Sequence, residues 1–110
     1  MAVHIITSNG QTLLSEFKKA IEEKKIVTWA HENGYFTHDV VQWRRLAWFL
    51  PVVKNDRLVF NIIKPKNGKI SSEVYAIYHG RLIETMLAHF DKNFERGVAT
   101  AMPESPDQVQ

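Results

Sequence analysis

The fold is decided first by residues 3–23, which read VHIITSNGQTLLSEFKKAIEE. Val3 to Thr7 has the β-branched, apolar composition of a short strand. After it, apolar side chains recur with the spacing of a helix packed on a core, at Leu13, Leu14, Phe17, Ala20 and Ile21. Ser8 is placed to cap the free amides of that helix, with Gln11 reaching back to it. The stretch predicts a strand followed directly by an amphipathic helix.

Next along the chain come two short predicted strands. Ile26 to Trp29 forms the first, and Tyr35 with Phe36 starts the second. His31 to Gly34 supplies a turn between them, because the Asn-Gly pair tolerates positive φ angles. Thr37 or Asp39 is then predicted to cap a single helical turn over residues 40–43.

A better-marked hairpin occupies residues 47–63, which read AWFLPVVKNDRLVFNII. Ala47 to Val53 and Arg57 to Ile63 are its strands, and Lys54 to Asp56 is its turn. Pro51 has no N–H to give to a strand ladder. We therefore expect its strand to lie at a sheet edge or to carry a bulge.

Residues 72–90 allow two interpretations. As one long helix they place Tyr75, Tyr78, Leu82, Ile83, Met86, Leu87 and Phe90 on one broad face. Alternatively, Glu73 to Tyr78 is a strand, and His79-Gly80 turns into a shorter helix. Gly80 costs a helix interior about 1 kcal/mol relative to alanine. Apolar burial easily offsets that cost, so the single long helix is the preferred interpretation.

These elements, with a last short strand at Gly97 to Ala101, predict an α+β fold. The expected architecture is a mostly antiparallel sheet in the order strand, helix, hairpins, helix, strand, with both amphipathic helices packed on one face. Residues 1–102 are expected to form a single domain. Residues 103–110 hold two prolines among polar residues and are expected to form a disordered C-terminal tail.

Composition excludes several classes of site. The 110 residues include no cysteine, which rules out disulfides, thiolate metal sites and cysteine nucleophiles. A cysteine-free small domain without a signal-peptide pattern is expected to be cytoplasmic. No apolar run is long enough to cross a membrane, so no membrane partner is expected. The net charge of +2 permits a polyanionic partner without arguing for one.

The five histidines lack the spacing of a metal site. A structural zinc site needs paired ligands, and a metalloprotease helix needs two histidines four residues apart. His79 and His89 are ten residues apart, which separates them around a helix axis. No metal, cofactor or catalytic residue is predicted.

His79 is nevertheless the most distinctive residue. It falls within the apolar stripe of the predicted long helix, beside Tyr78, Arg81 and Glu84. A buried histidine is more often a hydrogen-bonded core group than a ligand. The functional hypothesis is that Tyr78, His79, Arg81 and Glu84 flank a cleft for an anionic ligand, in a small enzyme or a binding protein.

Aromatic residues make up 11% of the chain, which is a large share for a small domain. The residues predicted to form an interface are Trp43, Arg44, Arg45, Trp48 and Phe49. Tryptophan and arginine are enriched at interface hot spots. The competing interpretation is that Trp43 belongs to the core and that both arginines are simply solvated.

The leading functional prediction is a small non-enzymatic binding module, with a protein partner or a second copy of itself in a homodimer. A small enzyme or anionic-ligand pocket around His79, Arg81 and Glu84 is the alternative. Weak nucleic-acid binding comes third, because loop lysines at 64, 66 and 69 could neutralise phosphates. Against this, the helix lysines alternate with glutamates, as on an ordinary solvated face.

Overall fold

The computed structural model describes residues 1–110 as six strands, two α-helices and one short 3-10 helix. In chain order these are β1 (Ala2–Ile6), α1 (Gly10–Glu22), β2 (Trp29–Glu32), β3 (Tyr35–His38), β4 (Trp48–Val53), β5 (Arg57–Ile63), α2 (Ser72–Phe90), the 3-10 helix (Asp91–Asn93) and β6 (Arg96–Ala99). The predicted α+β class and order of elements are confirmed.

All six strands belong to one antiparallel sheet with the order β2-β3-β4-β5-β1-β6. Four consecutive strands form two hairpins side by side, as local turns favour. β1 lies between β5 and β6, where Val3 is opposite both Phe60 and Ala99. The first strand of the chain is thus held by two partners that are distant in sequence.

Both helices pack on the same face of the sheet, which we call the covered face. Alternation along the strands puts Phe36, Phe49 and Phe60 on this face. From α1, the Phe17 ring stacks on Phe36 at 4.7 Å and meets Phe60 edge-on at 6.0 Å. From α2, the Tyr78 ring lies 6.1 Å from Phe49. The predicted packing of two helices on one face is confirmed.

Residues 72–90 form the single long helix α2 rather than a strand and a shorter helix. The Ser71 side chain caps it by accepting a hydrogen bond from Val74 N at 3.2 Å. Gly80 lies in its interior, and a Cβ there would meet only open space. Neither helix of the protein is long and apolar enough to cross a membrane.

The start of α1 differs from the predicted capping box. Its N-cap is Asn9, and no side chain caps the helix. Thr7 turns the chain instead, because its Oγ1 accepts from Asn9 N at 3.1 Å and donates to Asn93 O at 2.9 Å. The helix then begins at Gly10, where an added Cβ would lie 3.3 Å from Arg57 O. Close approach to the β4–β5 hairpin, which the local sequence does not reveal, therefore sets this helix end.

Two other local predictions also need adjustment. The strand expected from Ile26 begins only at Trp29, after Lys24 adopts a φ of 59°. Residues 40–44 form a hydrogen-bonded turn in which Arg44 N donates to Val40 O at 2.8 Å. Asp39 does not cap this turn, since its carboxylate pairs with the Arg44 guanidinium at 2.8 Å.

The proline-containing strand β4 is an interior strand, not an edge. It pairs with β5 along its whole length, so Pro51 is opposite Phe60. On its other side, β3 pairs with it only at Phe49. Pro51 therefore lies beyond the pairing with β3. On that side no neighbouring strand requires a hydrogen bond from an N–H at position 51. An interior strand accommodates the proline because its neighbour is short.

Residues 103–110, the C-terminal segment, are folded against the sheet and are not the frayed tail that their composition predicts. Gln108 forms a parallel bridge with Ile63 of β5. Its N–H donates to Ile62 O at 2.8 Å, and Lys64 N donates to its carbonyl at 2.7 Å. Pairing between β1 and β5 ends at Asn61. The segment therefore pairs with the remaining edge of β5 at Ile62 and Ile63.

Asp107 anchors this segment, with a side chain fully removed from solvent. Oδ1 accepts from Asn61 Nδ2 at 2.9 Å and from Ile62 N at 3.0 Å. Oδ2 accepts from Glu104 N at 2.8 Å and lies 3.1 Å from the α-ammonium of Met1. The Asp107 carboxylate thus accepts from several hydrogen-bond donors at the margin of the sheet. The proline and polar composition of the segment does not indicate these contacts.

Candidate functional site

The face of the sheet opposite the helices, which we call the open face, carries its own set of side chains. On the central strands these are Trp48, Leu50, Val52, Arg57, Val59, Asn61, Ile63, Ala2, His4 and Ile6. The C-terminal segment crosses the β1 side of this face, where Glu104 bonds to the His4 ring and Asp107 bonds to Asn61. On the β3–β4 part of this face, the aromatic side chains of Tyr35 and Trp48 are partly exposed.

A groove of about 240 Å³ opens on this part of the open face. Its lining residues are Glu32, Asn33, Tyr35, Trp48 and Ile63. Trp48 and Ile63 are directly opposite each other on β4 and β5. Tyr35 and Glu32 are opposite each other on β3 and β2. The groove is therefore built by strand pairing from residues that are up to 31 positions apart (63 − 32).

A tight turn fixes one end of the groove. Asn33 and Gly34 connect β2 to β3 with φ angles of 52° and 85°. Positive φ at both central residues matches the twist of a two-residue hairpin, as the Asn-Gly pair predicts. The turn sets Glu32 beside Tyr35 and places the Asn33 side chain at the groove.

The one charged residue lining the groove is Glu32. Its Oε1 accepts from Arg45 Nη2 at 2.9 Å, and its Oε2 makes no hydrogen bond within the protein. Both side chains are well exposed, at 37% for Glu32 and 63% for Arg45. Exposed pairs of this kind contribute about 0–1 kcal/mol to stability. The pair with Arg45 is therefore weak, and the Glu32 carboxylate remains able to accept a hydrogen bond from a ligand.

The five predicted interface residues are divided between the two faces. Trp48 lines the groove, and Arg45 lies at its rim. Phe49 is fully buried on the covered face, and Trp43 packs partly buried against the core. Arg44 pairs with Asp39 instead.

Sequence reasoning missed four lining residues: Glu32, Tyr35 and Ile63, and Asn33, which it predicted only as part of a turn. Alternation already separates Trp48 from Phe49, because neighbours in a strand point to opposite faces. The same alternation places Ile63 opposite Trp48 once the hairpin is aligned. That was the available signal for Ile63, whereas Glu32 and Tyr35 required knowledge of how β3 pairs with β4.

The four predicted ligand residues do not converge on one cleft. Tyr78 is fully buried, and its hydroxyl donates to Trp43 O and lies 3.1 Å from Thr37 Oγ1. Burial raises the pKa of Tyr78 above its usual value. Arg81 and Glu84 are exposed and pair with each other at 3.4 Å. The predicted cleft flanked by all four side chains is therefore not assembled in this structure.

His79 is buried, at 4% exposure. Its Nδ1–H donates to the Tyr75 carbonyl, and its Nε2 is buried without a hydrogen-bond partner. Burial lowers the pKa of His79 below 6.5, which favours the neutral ring. Beside it, a shallow groove of about 340 Å³ runs between α2 and residues 99–101, but neither Arg81 nor Glu84 lines it.

The arginines are largely paired within the protein. Four arginines, at positions 44, 45, 57 and 81, each contact an acidic side chain. Within the protein no group of three or more histidine, cysteine, aspartate or glutamate side chains is arranged to hold a metal ion. The groove on the open face brings two partly exposed aromatic side chains, Tyr35 and Trp48, together.

No family model, no curated protein and no solved structure matches this chain.

Proposed function

We propose that this protein is a non-enzymatic binding module that holds a protein partner in the groove on its open face. One observation carries the proposal: Tyr35 and Trp48 line a groove on the face of the sheet opposite the two helices. Neither ring stacks on another aromatic ring, unlike the rings of the covered face. Two aromatic side chains outside the core network are therefore available for contact.

The chemistry of these side chains supports a protein partner. Tryptophan and tyrosine supply large contact areas at little entropic cost, and they dominate interface hot spots. A standard interface needs about 800 Å² from each partner. That is about an eighth of the 6418 Å² surface of this chain. A second copy of the chain is the first partner to test.

Self-association is tested by size-exclusion chromatography with multi-angle light scattering over a range of concentrations. Wild type is expected to form a dimer as concentration rises, and Trp48→Ser is expected to stay monomeric. Leu87→Ser is the matched control, because Leu87 is 52% exposed on α2, away from the groove. Equal dimerisation of the Trp48→Ser variant would show that the groove is not the self-association surface.

Binding to another protein is tested by selecting peptides from a displayed library on immobilised wild type. The enriched peptides should bind wild type and the Leu87→Ser variant, and they should lose binding to Trp48→Ser by at least tenfold. Failure to enrich any peptide, together with a strictly monomeric wild type, would overturn the proposed function.

A further inference from the structure

We propose that the groove accepts an arginine side chain of the partner protein. This inference rests on the proposed function, and it names the chemistry that the groove recognises. It is carried by the combination of residues lining the groove: one carboxylate, one amide, two aromatic rings and one aliphatic side chain.

The charge of the groove fits a cation. Glu32 contributes a negative charge, Asn33 contributes a neutral amide, and no lysine or arginine is among the lining residues. Glu32 Oε2 makes no hydrogen bond, whereas Oε1 already accepts from Arg45. A guanidinium in the groove would therefore find a free carboxylate oxygen as its acceptor. Arg45 shows that this carboxylate binds a guanidinium within the chain itself.

The remaining lining residues fit the rest of an arginine side chain. A guanidinium is planar and weakly hydrated, and it stacks on tryptophan and tyrosine rings more often than an ammonium does. Tyr35 and Trp48 supply these rings. Ile63, opposite Trp48, supplies an apolar surface for the methylene groups, which long basic side chains bury while their charged ends stay near water.

Arg45 provides a direct test of this proposal, because its guanidinium competes for the same Glu32 carboxylate. Removing its charge leaves Glu32 free and should strengthen binding of an external arginine. Arg45 has a φ of 61°, which asparagine tolerates better than most residues, so Arg45→Asn should preserve the backbone. Glu32→Gln should have the opposite effect on binding. An exposed pair contributes about 0.2–1 kcal/mol, so each change should be up to about fivefold.

The experiment titrates acetyl-Gly-Arg-Gly-amide into ¹⁵N-labelled protein and follows the indole N–H signal of Trp48. The matched probe carries citrulline, which has the shape of arginine without its charge. The arginine peptide is expected to shift the Trp48 signal and to bind at least threefold more tightly than the citrulline peptide. The Arg45→Asn variant should bind the arginine peptide more tightly than wild type does, and the Glu32→Gln variant should bind it less tightly.

Three outcomes would overturn the inference while leaving the proposed function standing. The first is equal binding of the arginine and citrulline peptides, which would make the groove an apolar site without preference for a cation. The second is that a lysine peptide binds as tightly as the arginine peptide, which would remove the assignment to guanidinium. A Trp48 signal that responds to none of these probes, although library peptides bind through Trp48, would also overturn it.

Discussion

The two faces of the sheet are built from the same strands but use their aromatic residues in different ways. On the covered face, Phe17, Phe36, Phe49 and Phe60 form a continuous set of stacked and edge-on rings. On the open face, Trp48 and Tyr35 line a groove without touching another ring. Neighbouring positions such as Trp48 and Phe49 can therefore serve binding and stability separately, because alternation sends them to opposite faces.

The largest expected effect compares Phe49 with Trp48 directly. Phe49→Ala should lower the free energy of unfolding by about 3–5 kcal/mol, since it leaves a cavity in a fully packed core. Trp48→Ala should cost only about 1–2 kcal/mol, because its side chain is partly exposed in the native state. Urea denaturation of both variants measures the difference. Equal losses would mean that the open face is as much a part of the core as the covered one.

The next effect concerns the part of the open face that the C-terminal segment covers. Asp107→Ala should lower the free energy of unfolding by about 2–4 kcal/mol, because it leaves several buried donors without an acceptor. Asp56→Ala is the control, since the Asp56 carboxylate is exposed beside Arg57 and its loss should leave the urea midpoint unchanged. If both variants unfold at the wild-type midpoint, the segment adds nothing to the stability of the sheet.

The smallest expected effect is a pH dependence of stability that comes from histidines on the covered face. On the covered side, burial is the main cause that lowers the pKa values of His31, His38 and His79 below 6.5. The unfolded chain therefore binds protons more readily than the native state. Stability should be complete above about pH 6.5 and should fall as the pH drops through the lower native values.

Urea midpoints measured between pH 7.5 and pH 5 check this expectation. The charged groups that face His79 are the α-ammonium of Met1, which opposes its protonation, and Asp107, which favours it. His79→Gln should make the pH dependence shallower. A midpoint that rises on acidification would contradict the expectation that burial dominates at these rings.

The elements that were predictable from sequence are those whose evidence is local and repeated. The apolar spacing of residues 13–21 gives α1, and the long stripe of residues 75–90 gives α2. The Asn33-Gly34 pair gives a hairpin because it meets the φ requirement of the turn by itself. Each of these rests on several nearby residues that indicate the same structure.

The elements that were not predictable depend on one residue meeting a distant partner. Asp107 holds the C-terminal segment through Asn61 and Ile62, which lie 46 and 45 positions away. Gly10 begins α1 because the backbone of Arg57 passes close to it. The groove likewise needs the pairing of β3 with β4 before Tyr35 and Trp48 become neighbours. Composition and periodicity carry no information on such contacts.

The position of β1 between β5 and β6 has a consequence for the order in which the protein is made. β1 is made before the other five strands, but β5 begins 51 positions after it ends (57 − 6) and β6 begins 90 positions after it ends (96 − 6). At about 5–20 residues per second, β6 follows β1 by roughly 5–20 s. During that interval the β2–β3 and β4–β5 hairpins can pair locally, β1 can pair with β5 once β5 is made, and only its β6 side still lacks a partner. Pairing of β1 with β6 therefore comes late in vectorial folding, and only the docking of the C-terminal segment follows it. Until then one edge of β1 stays unpaired, which makes it a segment that a nascent-chain chaperone would have reason to shield.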